Sequence, residues 1–188
     1  MRVRRRSNRL GVWGGIILMS VGVLAMPPVA SARAEAVTGG RLFLIPRAIL
    51  APAVTVPASA TIGAVQPGQT TGVQLGQVRV TNSGGRTWIA TVSASNFTTG
   101  GGTAGETISK VRLSYWSGPV VSKMGSGSWV PGQPTAGNAQ PLDVTRTAFS
   151  YSGVMTSTSV IWQPTLQMSV PASAVAGTYS GTLTHSVA

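Results

Sequence analysis

Val78-Arg79-Val80-Thr81-Asn82-Ser83-Gly84-Gly85-Arg86-Thr87-Trp88-Ile89-Ala90-Thr91-Val92-Ser93 is the most legible stretch of this chain. Two runs rich in Val, Thr and Ile flank a cluster of Asn, Ser and Gly. Branched side chains are restricted at χ1 and fit a pleated, half-buried strand. Alternation with period two places Trp88, Ala90, Val92 and Ala94 on one face of the second run. Asn and Gly tolerate the backbone angles of a tight turn. The stretch therefore reads as strand, turn and strand, with residues 82–86 as a hairpin connection.

The same grammar extends in both directions. Strands are expected over 40–45, 53–57, 74–81, 87–96, 110–116, 147–152, 159–170 and 178–187, separated by Gly-, Pro-, Asn- and Ser-rich turns. Val160, Trp162, Leu166, Met168 and Val170 share one face, and Tyr179, Leu183, His185 and Val187 share another. Pro164 has no N–H to give a ladder, so its strand must be an edge or carry a bulge there. Val-Pro-Ala-Ser-Ala occurs at residues 56–60 and again at 170–174, as two similar strand exits. The expected fold class is all-β, a single antiparallel β-sandwich.

The N-terminus has a different character. Arg2, Arg4, Arg5, Arg6 and Arg9 precede an uncharged, largely apolar run over residues 10–26, and Pro27-Pro28 breaks it. Ala30-Ser31-Ala32 and Ala32-Arg33-Ala34 both fit a small-residue cleavage site. This is the layout of a secretory signal peptide. Residues 1–34 are expected to be the signal and 35–188 the sandwich domain, with 35–53 as an extended N-terminal strand segment. The apolar run is short for a spanning helix, so no stable membrane insertion is expected after cleavage. Localisation is expected to be extracellular, secreted or associated with the cell wall.

Cleavage changes the reading of charge. The chain of 188 residues has 14 basic and 3 acidic residues, a net charge of +11, which invites a nucleic-acid reading. Loss of residues 1–34 leaves eight basic residues against three acidic ones, a net of +5. No two of the eight are adjacent, so no basic run remains and nucleic acid is not an expected partner.

Catalytic equipment is scarce. There is no cysteine, one histidine (His185) and three acids: Glu35, Glu106 and Asp143. A nucleophilic triad needs a base held against an activated serine, and His185 with Asp143 is the available pair. No G-x-S-x-G elbow precedes any serine. Glu106 and Asp143 are the realistic pair of carboxylates for glycoside hydrolysis, and both adjoin loop-like sequence. No three-ligand metal set and no phosphate loop is present. The expectation is no enzyme, no catalytic residue, no metal and no cofactor.

Flat aromatic rings can stack on sugar faces while neighbouring polar groups bond hydroxyls. Trp88 and Trp162 alternate in phase with apolar residues, as core positions do. Trp116 lies in phase with Arg112, and Trp129 sits in Gly-Ser-Gly-Ser-Trp-Val-Pro-Gly. Trp116 and Trp129 are therefore the expected exposed contacts.

The opening stretch, with its strand, polar turn and Trp88-Ile89-Ala90-Thr91-Val92-Ser93, resembles the first half of a WxL-type surface domain. Gly177-Thr178-Tyr179-Ser180-Gly181-Thr182-Leu183-Thr184-His185-Ser186-Val187 resembles that family's closing strand. Residues 97–102 and 113–119 look like secreted actinobacterial relatives, and the likeness covers roughly residues 54–188. The first motif has Ala90 where Leu is usual, and the second has His185 and Val187 where Trp and Leu are usual. The resemblance implies an Ig-like or WxL-like sandwich that attaches non-covalently to peptidoglycan. It carries that role to Trp88 and His185, completing an expected ligand-binding set of Trp88, Trp116, Trp129 and His185. The expected function is a secreted, non-catalytic surface domain bound to the bacterial cell wall. Its expected partners are a wall polymer or other surface proteins. The alternative is a structural or pilus-like subunit that assembles through its sheet edges.

Overall fold

A computed structural model describes the backbone of residues 17–26 and the whole of residues 51–85 and 87–188. The expected strand at 40–45, the cleavage sites, and most of the 35–53 segment lie outside these residues. The described part is an all-β sandwich, and its helical turns are three short 3-10 segments.

The first layer contains β1 (Ile17–Met26), β3 (Ser59–Val65), β6 (Thr87–Ala94), β11 (Ser128–Pro131), β13 (Arg146–Ser152) and β16 (Thr178–Val187). Its order is β11-β13-β6-β16-β1-β3, with the short pair β7 (Phe97–Thr98) and β8 (Thr107–Ile108) attached to β16. Pairing is antiparallel except between β16 and β1, which run parallel.

The second layer is built in two halves. One is β10 (Val120–Met124), β14 (Thr158–Trp162), β5 (Val78–Asn82) and β2 (Ala53–Thr55). The other is β12 (Gln140–Pro141), β9 (Leu113–Trp116), β15 (Thr165–Ser169) and β4 (Thr70–Gln74). The halves are joined by consecutive strands, β4 to β5, β9 to β10 and β14 to β15. The break between β14 and β15 falls at Gln163-Pro164, as the missing proline N–H requires. Leu75 N–H bonds the Pro164 carbonyl at 2.9 Å and bridges the kink. Pro164 therefore marks the break between the two halves of the layer.

Alternating residues of both layers meet in the core. Val160, Trp162, Leu166, Met168 and Val170 are all buried, as are Tyr179, Leu183, His185 and Val187. Phe149 stacks on Trp162 across the layers, with ring centroids 5.0 Å apart. Burial of such rings removes on the order of 150–250 Å² each from water and is the main source of cohesion.

Two expectations need correction. Residues 82–86 do not close a hairpin. β5 pairs with β14 and β2, whereas β6 pairs with β13 and β16, so the turn is an arch between layers. The turn chemistry itself holds. The Asn82 side chain donates to the Gly85 carbonyl at 2.6 Å and accepts from the Gly84 and Gly85 N–H groups. Both Val80 and Trp88 point into the core, which strands of opposite layers achieve and paired neighbours in one layer would not require. Second, residues 110–116 are not strand throughout: Lys110–Arg112 is a 3-10 turn and the strand begins at Leu113.

Candidate functional site

The four residues expected to bind ligand do not form one surface. Trp88 is 1% exposed and His185 is 0% exposed. Trp88 packs edge-on to Trp129, with centroids 6.2 Å apart, and stacks on Tyr151 at 6.1 Å. Its indole N–H reaches Thr158 Oγ1 on the opposite layer at 3.4 Å. Trp129 is not an exposed contact. It lies in β11, faces inward, and packs on the core with its ring 4.4 Å from Tyr151. Trp116 follows buried Tyr115 and so falls on the outer face of β9, half-buried.

His185 lies between the layers. Its Nε2 is 3.2 Å from the Tyr115 hydroxyl, and its Nδ1 has no protein partner. With the hydroxyl donating to Nε2, the Nδ1–H is a buried donor without an acceptor. Burial pushes the His185 pKa down to about 4. Burial also raises that of Tyr115. Both side chains are therefore neutral near pH 7. The polar ends of Trp88 and His185 thus tie one layer to the other, a role that alternation alone does not reveal.

Both candidate carboxylates serve turns. Glu106 accepts hydrogen bonds from the Thr103 N–H at 3.0 Å and the Thr103 hydroxyl at 2.8 Å. These two bonds, the backbone one first, hold its pKa below the usual range. Asp143 accepts from Arg146 Nη2 at 2.6 Å and from the Val144 N–H at 2.9 Å. The Arg146 bond is the main cause of its lowered pKa. Neither Glu106 nor Asp143 bonds His185, so no triad is assembled. No group of three His, Cys, Asp or Glu side chains gathers among the described residues.

A concave feature lies on the outer face of β9, β15 and β4. Register places Trp116, Thr165 and Gln74 in one row, and Ser114, Gln167 and Gly72 in the next. Gln163 donates to Gln74 at 3.2 Å at the end of the first row. The face continues into an open depression of about 550 Å³ lined by Ser109, Val111, Arg112, Ser114 and Ser169. One half-exposed indole, a band of hydroxyls and amides, and one guanidinium therefore share a surface. Such a surface can stack on a flat ring, bond hydroxyls and attract an anion. Of the expected set, Trp116 alone belongs to it. Its in-phase neighbour Arg112 is the signal visible in the sequence; the polar partners Thr165, Gln74 and Gln167 emerge only from the strand register.

No protein-family model matches this chain, and no curated protein matches it.

Proposed function

We propose that the chain is an exported, non-catalytic β-sandwich that associates non-covalently with the bacterial cell wall through the outer face of β9, β15 and β4. The observation that carries this reading is Trp116 standing among hydroxyl and amide side chains beside a depression with Arg112 on its wall. The indole supplies a stacking plane and the guanidinium a bidentate group for carboxylate or phosphate on a wall polymer. The export-signal layout and the resemblance to WxL-type domains support the same reading. Trp88 and His185, which the resemblance pointed to, support the fold in place of the contact.

Retention of exported protein on purified cell walls tests this. Trp116→Ala and Arg112→Gln should each weaken retention several-fold at low salt, and added salt should remove the Arg112 share. Retention no greater than that of an unrelated exported β-sandwich overturns the proposal.

A second reading, assembly through a sheet edge, is favoured by the parallel insertion of β1 beside β16. Sizing separates the two: a concentration-dependent polymer supports assembly and a monomer supports wall contact.

A further inference from the structure

Strand β16 has two edges. One is taken by β6, with Leu183 to Val187 opposite Ala94 to Ala90, and by β7 at Ser180. The other is taken by β1, from Leu18 opposite Thr178 to Met26 opposite Ser186. β3 joins this layer through β1, from Ile17 opposite Val65 to Gly22 opposite Ser59. A bulge lies between Met19 and Ser20, and Gly63 beside it has φ 89°, which only glycine adopts without strain.

β1 is also the apolar part of the expected export signal. Its removal would strip the outer edge of β16 over Tyr179, Leu183 and His185, and would detach β3 from the layer. Buried backbone N–H and C=O groups are seldom left unpaired, and an open edge recruits an extended segment. An exported chain therefore needs another strand in this seam.

We propose that the seam between β16 and β3 is a strand-acceptor slot, held by β1 in the unprocessed chain and taken over after export by residues 37–45 of the same chain. This rests on the export reading above. The segment Val37-Thr38-Gly39-Gly40-Arg41-Leu42-Phe43-Leu44-Ile45 is as long as the β16 edge it must cover. It carries one charge, includes the strand expected at 40–45, and is closed by Pro46, which cannot continue a central ladder. Its tether also reaches. β3 runs antiparallel to β1 from Ser59 opposite Gly22, so the chain before Ser59, including β2, lies towards the Met26 end of the slot. A segment entering parallel to β16, as β1 does, finishes at that same end. The linker of residues 46–52 can extend to about 25 Å, and packed sheets are about 10 Å apart. A short tether holds the segment at an effective concentration of about millimolar, which favours it over the same segment of a second copy.

The chain has no cysteine, so the introduced residues are the only thiols that can pair. In the unprocessed chain, Gly22→Cys with Thr182→Cys should form a disulfide, because the two are register partners. In chain collected after export, Thr182→Cys should close instead with either Arg41→Cys or Leu42→Cys. These neighbours cover both phases of the strand, and the product should run as a monomer on a non-reducing gel. A ladder of cross-linked copies, absence of either closure, or export with the Gly22–Thr182 pair still closed would each overturn the slot exchange. Wall retention of the same exported samples without cysteines is read separately, so failure of the exchange is distinguishable from failure of wall binding.

Discussion

The two flanks of β16 make different kinds of seam. On one side β6 and β13 are tied in by residues that also fill the core, with Trp88, Phe149 and Tyr151 stacked behind them. On the other side β1 enters in parallel from the far N-terminus, and β3 depends on it for a place in the layer. The first flank is secured by packing and ladder together. The second is a ladder position that the rest of the chain leaves available. A sheet can thus be permanent along one edge of a strand and exchangeable along the other.

The largest expected effect is on the permanent flank. Trp88→Ala should cost about 3–5 kcal/mol, because it leaves a cavity among Trp129, Phe149 and Tyr151. Denaturant unfolding checks this, and a loss under about 1 kcal/mol would mean that the aromatic flank is not what holds the layers.

Next comes pH. His185 sits in β16 between both flanks. Its pKa falls from an ordinary 6.5 to about 4 on folding. The unfolded chain therefore binds a proton at higher pH than the folded one. This contribution is fully present above pH 6.5 and is lost as pH falls towards 4, by ~3 kcal/mol. His185→Leu should flatten that slope between pH 6.5 and 4, whatever it does to stability at pH 7. A slope unchanged in the variant would place the acid sensitivity elsewhere.

Gly181→Ala is a smaller probe of the same strand. An added Cβ would run into the buried Phe97 ring, which cannot move into solvent. Overpacking of this kind costs about 1–3 kcal/mol, measurable as a lower unfolding midpoint. Asp143→Asn, in a half-exposed pair with Arg146, should lower the midpoint only slightly.

Much of the sandwich is legible in the residues. Period two in 160–170 and 178–187 marks the faces that are buried, and Pro164 marks the break in its strand. Trp88 and His185 are in phase with the core and lie there. The arch at 82–86 looks like a hairpin because turn residues specify a change of direction and not the layer in which the next strand pairs. Ser59-Ala60-Thr61-Ile62-Gly63-Ala64-Val65 and β10 do not stand out as strands, since small and exposed residues give them little alternation. Residues 17–26 read as an export signal because composition alone decides that layout, and an apolar run suits a strand as well as a leader. Alternation with buried Tyr115 places Trp116 on an outer face; its polar surroundings come from strands distant in sequence and so leave no local trace. The Gly and Ser around Trp129 suggest an exposed ring at a loop or strand end, whereas its ring closes the core against Tyr151.

Hydrogen exchange across β16 and β3, compared between unprocessed and exported chain, tests the two-flank account most directly. The account predicts that Thr178–Val187 and Ser59–Val65 stay protected in both, and that residues 37–45 become protected only after the leader is gone. Rapid exchange of β3 and of one edge of β16 in the exported chain, with β6 and β13 still protected, would contradict it by showing the slot empty.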